Sequence, residues 1–224
     1  MEPTTLDLRD VPAGGQREAL ETAFEALDSG GVLRFLTPDD PRPLIRSLIA
    51  SHWGRFDWAP LREGGDGWIS QIGKRDSPGP NGIFEMLSAD HRRCDDLFAA
   101  AEAAANDGNL ELATDLFGRW NLGMERHFNI EEQGFFVEFE RQMGMQGGGP
   151  TAVMREEHQQ VRGMLRRMAA ELEQPNLDGF VAACETMLYL MEQHNMKEEQ
   201  MLYPMADDTF GGEVEDLLKR LYLF

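Results

Sequence analysis

The last two-thirds of the sequence contain one polar pattern twice, at an offset of 67 residues. Each copy has a histidine, a second histidine 36 residues later, and a glutamate four residues after the second histidine. A lone histidine is most often an ordinary core or surface residue, but six matched positions argue against that explanation. The two copies consist of His91, His127 and Glu131, and of His158, His194 and Glu198.

The histidines fall one each into four long stretches with apolar residues at three- and four-residue spacing. These stretches cover residues 83–105, 110–143, 151–172 and 177–205, and the spacing predicts four helices. Glycine, proline and asparagine mark the short connections between them, at 106–109, 144–150 and 174–176. Short connections favour antiparallel neighbours, so we predict an all-α up-down-up-down four-helix bundle, with residues 213–222 capping one end.

The six polar residues of the repeat are predicted to meet inside this bundle. Helical residues four apart lie on one face, about 5 to 6 Å apart at Cβ, so His127 and Glu131 could reach a common ion. The same holds for His194 and Glu198 in the second copy. Because an unpartnered buried carboxylate costs several kcal/mol, two bound cations would satisfy the core directly.

The donor types leave the metal open among iron, zinc, copper and manganese. The absence of thiolate argues against a structural zinc site. Glu131 and Glu198, each beside a histidine of its own copy, are well placed to bridge two ions, and bridged pairs favour redox-active iron. A site with only two carboxylates is less anionic than carboxylate-rich oxidases, which favours reversible binding of small ligands or one-electron chemistry.

Other polar residues in and near the stretches receive weaker interpretations. Glu132 and Glu199 complete a Glu-Glu pair in each copy and are interpreted as surface charges or as hydrogen-bond acceptors, with surface charge favoured. Cys94 and Cys184 are predicted to be inert, reduced packing residues. His52, which precedes the repeat, receives no role.

Residues 4–75 have a different pattern, which alternates short β-like runs with amphipathic stretches. The runs at 5–8, 17–27, 32–36, 44–52, 56–62 and 68–72 predict the order βαβαββ, a two-layer α+β sandwich with both helices on one face of a sheet. Residues 76–82, with two prolines and two glycines, show neither the apolar period of a helix nor that of a strand. We therefore predict an α+β domain at 1–76, a linker at 77–82 and the helical domain at 83–224.

The charge balance limits the classes of partner. The chain has 21 basic and 40 acidic residues, which disfavours binding to nucleic acid and to anionic membranes. No apolar run approaches the roughly 18 residues of a membrane span, and the first residues lack a basic segment followed by an apolar one. These features predict a cytoplasmic protein.

The repeated residues resemble the hemerythrin-like HHE cation-binding domain over about residues 82–206. The similarity is in the pairs Asp90-His91 and Glu157-His158, and in two longer stretches. Residues 127–132 read His-Phe-Asn-Ile-Glu-Glu, and residues 194–204 read His-Asn-Met-Lys-Glu-Glu-Gln-Met-Leu-Tyr-Pro. Oxygen-carrying members have a fifth histidine where this chain has Arg162, so the chain is more similar to the repair-of-iron-centres branch.

The resemblance implies a specific centre and specific ligands. It implies an oxo- or hydroxo-bridged pair of iron ions that meets dioxygen, nitric oxide or peroxide, with iron-sulfur repair as one role in the branch. The implied ligands are His91, His127, Glu131, His158, His194 and Glu198.

Residues 4–75 resemble a domain of unknown function related to the TusA-like sulfur-carrier fold. Those carriers have a Cys-Pro-x-Pro motif at a helix start, and the comparable residues here are Asp40-Pro41-Arg42-Pro43. The nucleophilic thiol is missing, so the prolines are interpreted as a helix start and sulfur transfer is disfavoured.

Three functions fit the predicted centre. The first is a binding protein for dioxygen or nitric oxide, or one that responds to redox state, and we favour it. The second is an enzyme that reduces nitric oxide or peroxide, which would need a protein electron donor. The third is iron donation for cluster repair, which a labile metal would reveal. A metal that only stabilises the bundle is the remaining alternative.

Overall fold

The computed structural model describes residues 3–64, 67–145 and 148–224. Its contacts divide the chain into two compact units. The first contains the residues up to Pro80 together with Tyr222–Phe224, and the second is Asn81–Leu221. Two residues of the predicted connection at 144–150, Gln146 and Gly147, lie outside the described residues.

The first unit is a four-stranded mixed sheet with two helices, as the sequence predicts. The strand order is β1-β2-β4-β3, with β1 and β2 parallel and the other two pairings antiparallel. The elements, in chain order, are β1 (Thr4–Asp7), α1 (Ala13–Glu25), β2 (Val32–Thr37), α2 (Arg42–His52), β3 (Phe56–Arg62) and β4 (Trp68–Lys74).

In β2, buried residues alternate with partly buried ones. Leu33, Phe35 and Thr37 are buried, and the residues between them are less so. Such a period of two exposes one set of side chains to the core and the other set to the opposite face. Both helices add buried residues to this unit, such as Phe24 of α1 and Leu48 of α2. The predicted order βαβαββ is therefore confirmed.

The second unit is entirely helical in its described part. Each of the four predicted stretches forms a helix over most of its length, and the fold class is confirmed. The α-helices are α3 (Ile83–Asn106), α4 (Leu110–Asn129), α5 (Phe136–Met143), α6 (Pro150–Glu173), α7 (Leu177–Lys197), α8 (Tyr203–Phe210) and α9 (Val214–Leu221).

Two of the predicted helices are interrupted by π-helical turns, which the apolar period did not reveal. Ile130–Phe135 separates α4 from α5, and Glu198–Leu202 separates α7 from α8. A π-turn accommodates one extra residue without ending the helix, so the apolar stripe continues through it. The helical segment that includes α7 continues past Pro204 to Phe210. Pro204 lies in the first turn of α8, where the missing N–H of proline is tolerated.

The helices pack in the pairs that the short connections predict. α3 packs against α4 and α7, and α6 packs against α7 and α4. Trp120, Met168, Phe180 and Met187 belong to the apolar core between them. Within the described residues, none of the helices has the length and apolar character of a membrane span.

Side-chain caps fix the starts of three of these helices. Asn109 accepts a hydrogen bond from the backbone N–H of Leu112 at the start of α4, and Asn176 does the same for Gly179 at the start of α7. The two asparagines are 67 residues apart, so the repeat includes its helix caps. The cap of α3 comes from a distant residue, Asp207 of α8.

We expect Asp207→Ala to destabilise the helical unit by about 1 kcal/mol. The Asp207 carboxylate accepts from the backbone N–H of Ile83 at 2.6 Å and of Phe84 at 3.2 Å, and alanine would leave both donors without it. Guanidinium denaturation followed by far-ultraviolet circular dichroism measures the change. The exposed neighbour Asp208 provides the control, since Asp208→Ala should alter stability by less than about 0.5 kcal/mol. Equal stabilities for the two variants would contradict the capping role.

Candidate metal centre

The structure brings all six residues of the repeat together inside the helical unit. One histidine comes from each of α3, α4, α6 and α7, and each glutamate lies in a π-turn. All six are buried, with at most 3 % of any residue exposed. Single π-turns inside α-helices occur frequently at functional sites.

The two glutamates stand between histidines of the two copies. Glu131 Oε2 lies 3.5 Å from His127 Nε2 and 3.1 Å from His158 Nε2. Glu198 Oε2 lies 3.3 Å from both His194 Nε2 and His91 Nε2. Each carboxylate thus contacts one imidazole of its own copy and one of the other, which is the placement that a bridging ligand needs.

The donor atoms form two overlapping groups. One ligand atom from each of Glu131, His158, His194 and Glu198 lies within 4.8 Å of the others, and His91, His127 and Glu198 form a second group by the same measure. The Nε2 atoms of His91 and His127 are 3.1 Å apart. The cluster therefore has one pair of histidines at each end and the glutamates between them.

Several of these atoms are buried and make no hydrogen bond of good geometry within the described residues, although Glu131 Oε2 lies only 3.1 Å from His158 Nε2. They are Glu131 Oε2, Glu198 Oε1 and the Nε2 atoms of His158 and His194. Buried polar atoms of this kind are rare, and each requires an explanation. Cations at the cluster would satisfy all four, so the residues present fit a metal-binding site.

The opposite nitrogen of every imidazole in the cluster is held by a carboxylate. Each Nδ1 atom lies 2.8 to 3.1 Å from a carboxylate oxygen, which leaves Nε2 directed at the centre. Exchanging every residue for its counterpart 67 residues away turns each of these contacts into another of the four. The pairs are His91 with Glu199, His158 with Glu132, His127 with Asp90, and His194 with Glu157.

These contacts correct one interpretation and add residues that the sequence analysis missed. Glu132 and Glu199 are hydrogen-bond acceptors for imidazoles, not merely surface charges. Asp90 and Glu157 received no role from the sequence, although each precedes a histidine at the offset of 67. The acid that precedes a histidine in both copies was the available signal for these contacts. Adjacency in the sequence, however, would pair each acid with the wrong histidine. Asp90 contacts His127 on the neighbouring helix instead of the adjacent His91.

Tyr203 is a further member of the centre that the sequence analysis missed. Its hydroxyl lies 2.8 Å from Glu131 Oε1, 2.9 Å from Glu198 Oε2 and 3.2 Å from His91 Nε2. The residue is fully buried. Burial and the two carboxylates raise the pKa of Tyr203 well above its ordinary value, so the hydroxyl is neutral and donates a hydrogen bond.

Comparison with known families agrees with this geometry. The family described as hemerythrin HHE cation binding domain matches residues 82–206, which is more than half of the chain. The chain belongs to this family. Together with the buried cluster, the match identifies a metal-binding, hemerythrin-like protein.

Residues 5–74 match a second family, described as an uncharacterized conserved protein (DUF2249). Neither a search of curated proteins nor a search of solved structures found a match.

In the hemerythrin-like unit, Asp90 is held ionised by its neighbours. Burial alone would raise its pKa, but the Arg93 guanidinium, the His127 contact and the Arg126 guanidinium hold the pKa well below the usual range. Arg93 lies 2.7 Å from the carboxylate and Arg126 lies 3.4 Å from it. A charged Asp90 is a strong acceptor for the N–H of His127.

Arg162 holds Glu132 in the same way. Its guanidinium donates to Glu132 at 2.7 Å and to Glu125 at 3.0 Å, and it lies over the Phe128 ring. Burial opposes ionisation of Glu132, but hydrogen bonds with His158 and Arg162 lower its pKa to about 2. Arg162 therefore supports the imidazole of His158 indirectly, through Glu132.

The remaining candidates lie away from this chemistry. Burial raises the pKa of Cys94 and of Cys184 to about 12, so both thiols stay protonated and are free of disulfides. His52 is in α2 of the first unit, where its Nε2 atom lies 3.6 Å from Glu21 and 3.8 Å from Glu25.

Metal binding should release protons, because two imidazoles are cationic in the metal-free protein. Burial alone would lower the pKa of His91, but Glu198 and Glu199 raise it to about 10. Burial likewise disfavours the charged form of His158, whereas Glu131 and other carboxylates raise its pKa to about 11. Both are protonated near pH 7, and a cation at Nε2 displaces the proton.

We therefore expect these two imidazoles to release about two protons per chain on metal loading at pH 7, and an apparent affinity that falls as the pH is lowered. A pH-indicator dye in weakly buffered solution measures the release. The His52→Ala variant should release the same number. Loading without proton release would contradict the assignment of these imidazoles.

We expect Asp90→Asn to weaken metal binding by about 10- to 100-fold, since the carboxylate orients His127. Competition with a chromophoric chelator measures the affinity. Asp96→Asn is the matched control, because Asp96 is exposed on the same helix. Equal affinities for the two variants would show that the Asp90 contact does not support the centre.

Proposed function

We propose that the cluster holds two iron ions as a bridged pair and that this centre binds dioxygen or nitric oxide or responds to redox state. In this proposal His91 and His127 are ligands of one ion, and His158 and His194 are ligands of the other. Glu131 and Glu198 are ligands of both. The observation that carries the proposal is the placement of each glutamate Oε2 between imidazoles of the two copies.

The donor set supports iron as the metal. Imidazole nitrogen and carboxylate oxygen are ligands that iron accepts, and no thiolate lies in either group of donor atoms. When bound, a pair of iron ions supplies reversible binding of a diatomic molecule or exchange of one electron. The six protein ligands provide too few donors to fill both coordination shells, which leaves room for such a ligand.

The residues around the cluster hold the ligands in place. Each imidazole is fixed through Nδ1 by a carboxylate, and arginine or lysine supports three of these carboxylates, namely Asp90, Glu132 and Glu157. A ring that cannot turn keeps Nε2 aimed at the centre in every redox state. This arrangement favours ligand binding with little reorganisation of the protein.

Aromatic rings form an apolar wall on one side of the centre. The Phe128 ring stacks on His158 with centroids 4.1 Å apart, and the Phe136 ring is nearly parallel to His158 at 5.9 Å. Phe128 and Phe136 are completely buried. Apolar walls exclude water, which strengthens the electrostatic interactions inside and protects a bound gas molecule from proton transfer.

Glu131→Ala and Glu198→Ala should each reduce bound metal toward one ion per chain or none, because either change removes a bridging carboxylate. Elemental analysis after metal loading and gel filtration provides the count. His52→Ala should bind the same amount as the unmodified chain, since His52 lies in the first unit. Unchanged metal content in both glutamate variants would contradict the ligand assignment.

The proposed activity is tested by optical spectroscopy of the iron-loaded protein. We expect near-ultraviolet bands of bridged ferric ions, which bleach on reduction and change reversibly when the reduced protein meets dioxygen or nitric oxide. A spectrum that does not respond to either gas would contradict the binding role. Rapid loss of the iron to a weak chelator would instead support iron donation.

A further inference from the structure

The two halves of the centre differ at one aromatic position. The offset of 67 residues that relates the ligands also relates Phe136 to Tyr203. Each is the first residue of the α-helix that follows a π-turn, and each is fully buried. Phe136 lies beside His158, and Tyr203 lies beside His91, with ring centroids 5.7 Å apart. Only the tyrosine places an oxygen atom in the cluster at this position.

The Tyr203 oxygen lies close to two of the proposed ligand atoms. Tyr203 Oη, His91 Nε2 and Glu198 Oε2 form a triangle with edges of 3.2, 3.3 and 2.9 Å. An octahedral ion with bonds of about 2.1 Å places adjacent donor atoms roughly 3.0 Å apart. The three atoms therefore have the separation of one face of an octahedral coordination shell.

From this geometry we infer that Tyr203 is a seventh protein ligand, which binds through its phenolate oxygen to the ion held by His91 and His127. The inference rests on the proposed two-iron centre. It makes the two ions unequal, because the ion held by His158 and His194 has Phe136 at the equivalent position.

Ligation requires the phenol to lose its proton, and the oxidation state of the ion does not change in this step. In the metal-free protein the hydroxyl donates to the two glutamates, with Glu131 Oε1 at 2.8 Å and Glu198 Oε2 at 2.9 Å. A cation at the cluster favours the phenolate instead, as it favours the deprotonated form of other ligands. The proton passes to water as the oxygen-metal bond forms, and it adds to the protons that His91 and His158 release.

The difference between the halves determines where a small ligand binds. A tyrosinate occupies a coordination position on the ion of His91 and His127. The position that stays open is then on the ion of His158 and His194, beside the apolar rings of Phe128 and Phe136. An uncharged diatomic molecule suits that side.

Optical and resonance Raman spectra of the oxidised, iron-loaded full-length protein test the inference. We expect a tyrosinate-to-iron charge-transfer band in the visible region, with tyrosinate ring vibrations enhanced on excitation into that band. In Tyr203→Phe the visible band and the vibrations should disappear, while about two irons per chain and the near-ultraviolet bands remain. Tyr189→Phe, which changes an exposed tyrosine of α7, should keep all of these signals.

The outcomes separate this inference from the proposed function. Two irons with near-ultraviolet bands but no visible band in the unmodified protein would overturn tyrosinate ligation and leave the two-iron centre intact. A visible band that persists in Tyr203→Phe would also overturn it. Failure of the unmodified protein to bind two irons would overturn both proposals. If Tyr203→Phe does not bind iron, the unmodified protein is prepared with ring-deuterated tyrosine. A tyrosinate ligand predicts that the enhanced vibrations shift on deuteration. Vibrations that do not shift would exclude tyrosinate ligation.

Discussion

Burial of two carboxylates among four imidazoles is the constraint on which the helical unit depends. Glu131 and Glu198 are completely buried, and each contacts imidazoles from both copies of the repeat. An uncompensated buried charge costs several kcal/mol. Without metal, protonated histidines provide the compensation, which is the reason that the pKa values of His91 and His158 are raised. With metal, cations take that role and the protons leave.

Four helices of the surrounding fold hold the imidazoles beside the two glutamates. α3, α4, α6 and α7 each supply one imidazole, and a neighbouring helix or π-turn supplies the carboxylate that fixes it. The offset of 67 residues extends from the ligands to the asparagine caps and the π-turns. The bundle thus uses two similar halves, and Tyr203 in place of a second phenylalanine breaks their equivalence.

The sequence predicted the fold class and the meeting of the six side chains because both depend on spacing. Apolar periods and short connections determine which helices are neighbours, and a separation of four places Glu131 on the face of His127. The partners of the imidazoles depend on how neighbouring helices are rotated. That rotation put Asp90 against His127 and Glu199 against His91, which spacing along one helix does not specify. The π-turns escaped prediction because they leave the apolar stripe unbroken, and Tyr203 was missed with them.

We propose that one folded chain holds two metal ions between Glu131 and Glu198. A crystal structure of the iron-loaded protein, with anomalous diffraction measured on both sides of the iron absorption edge, tests it most directly. We expect two iron peaks per chain, one at the Nε2 atoms of His91 and His127 and one at those of His158 and His194. A single peak, or iron located away from these six residues, would contradict it.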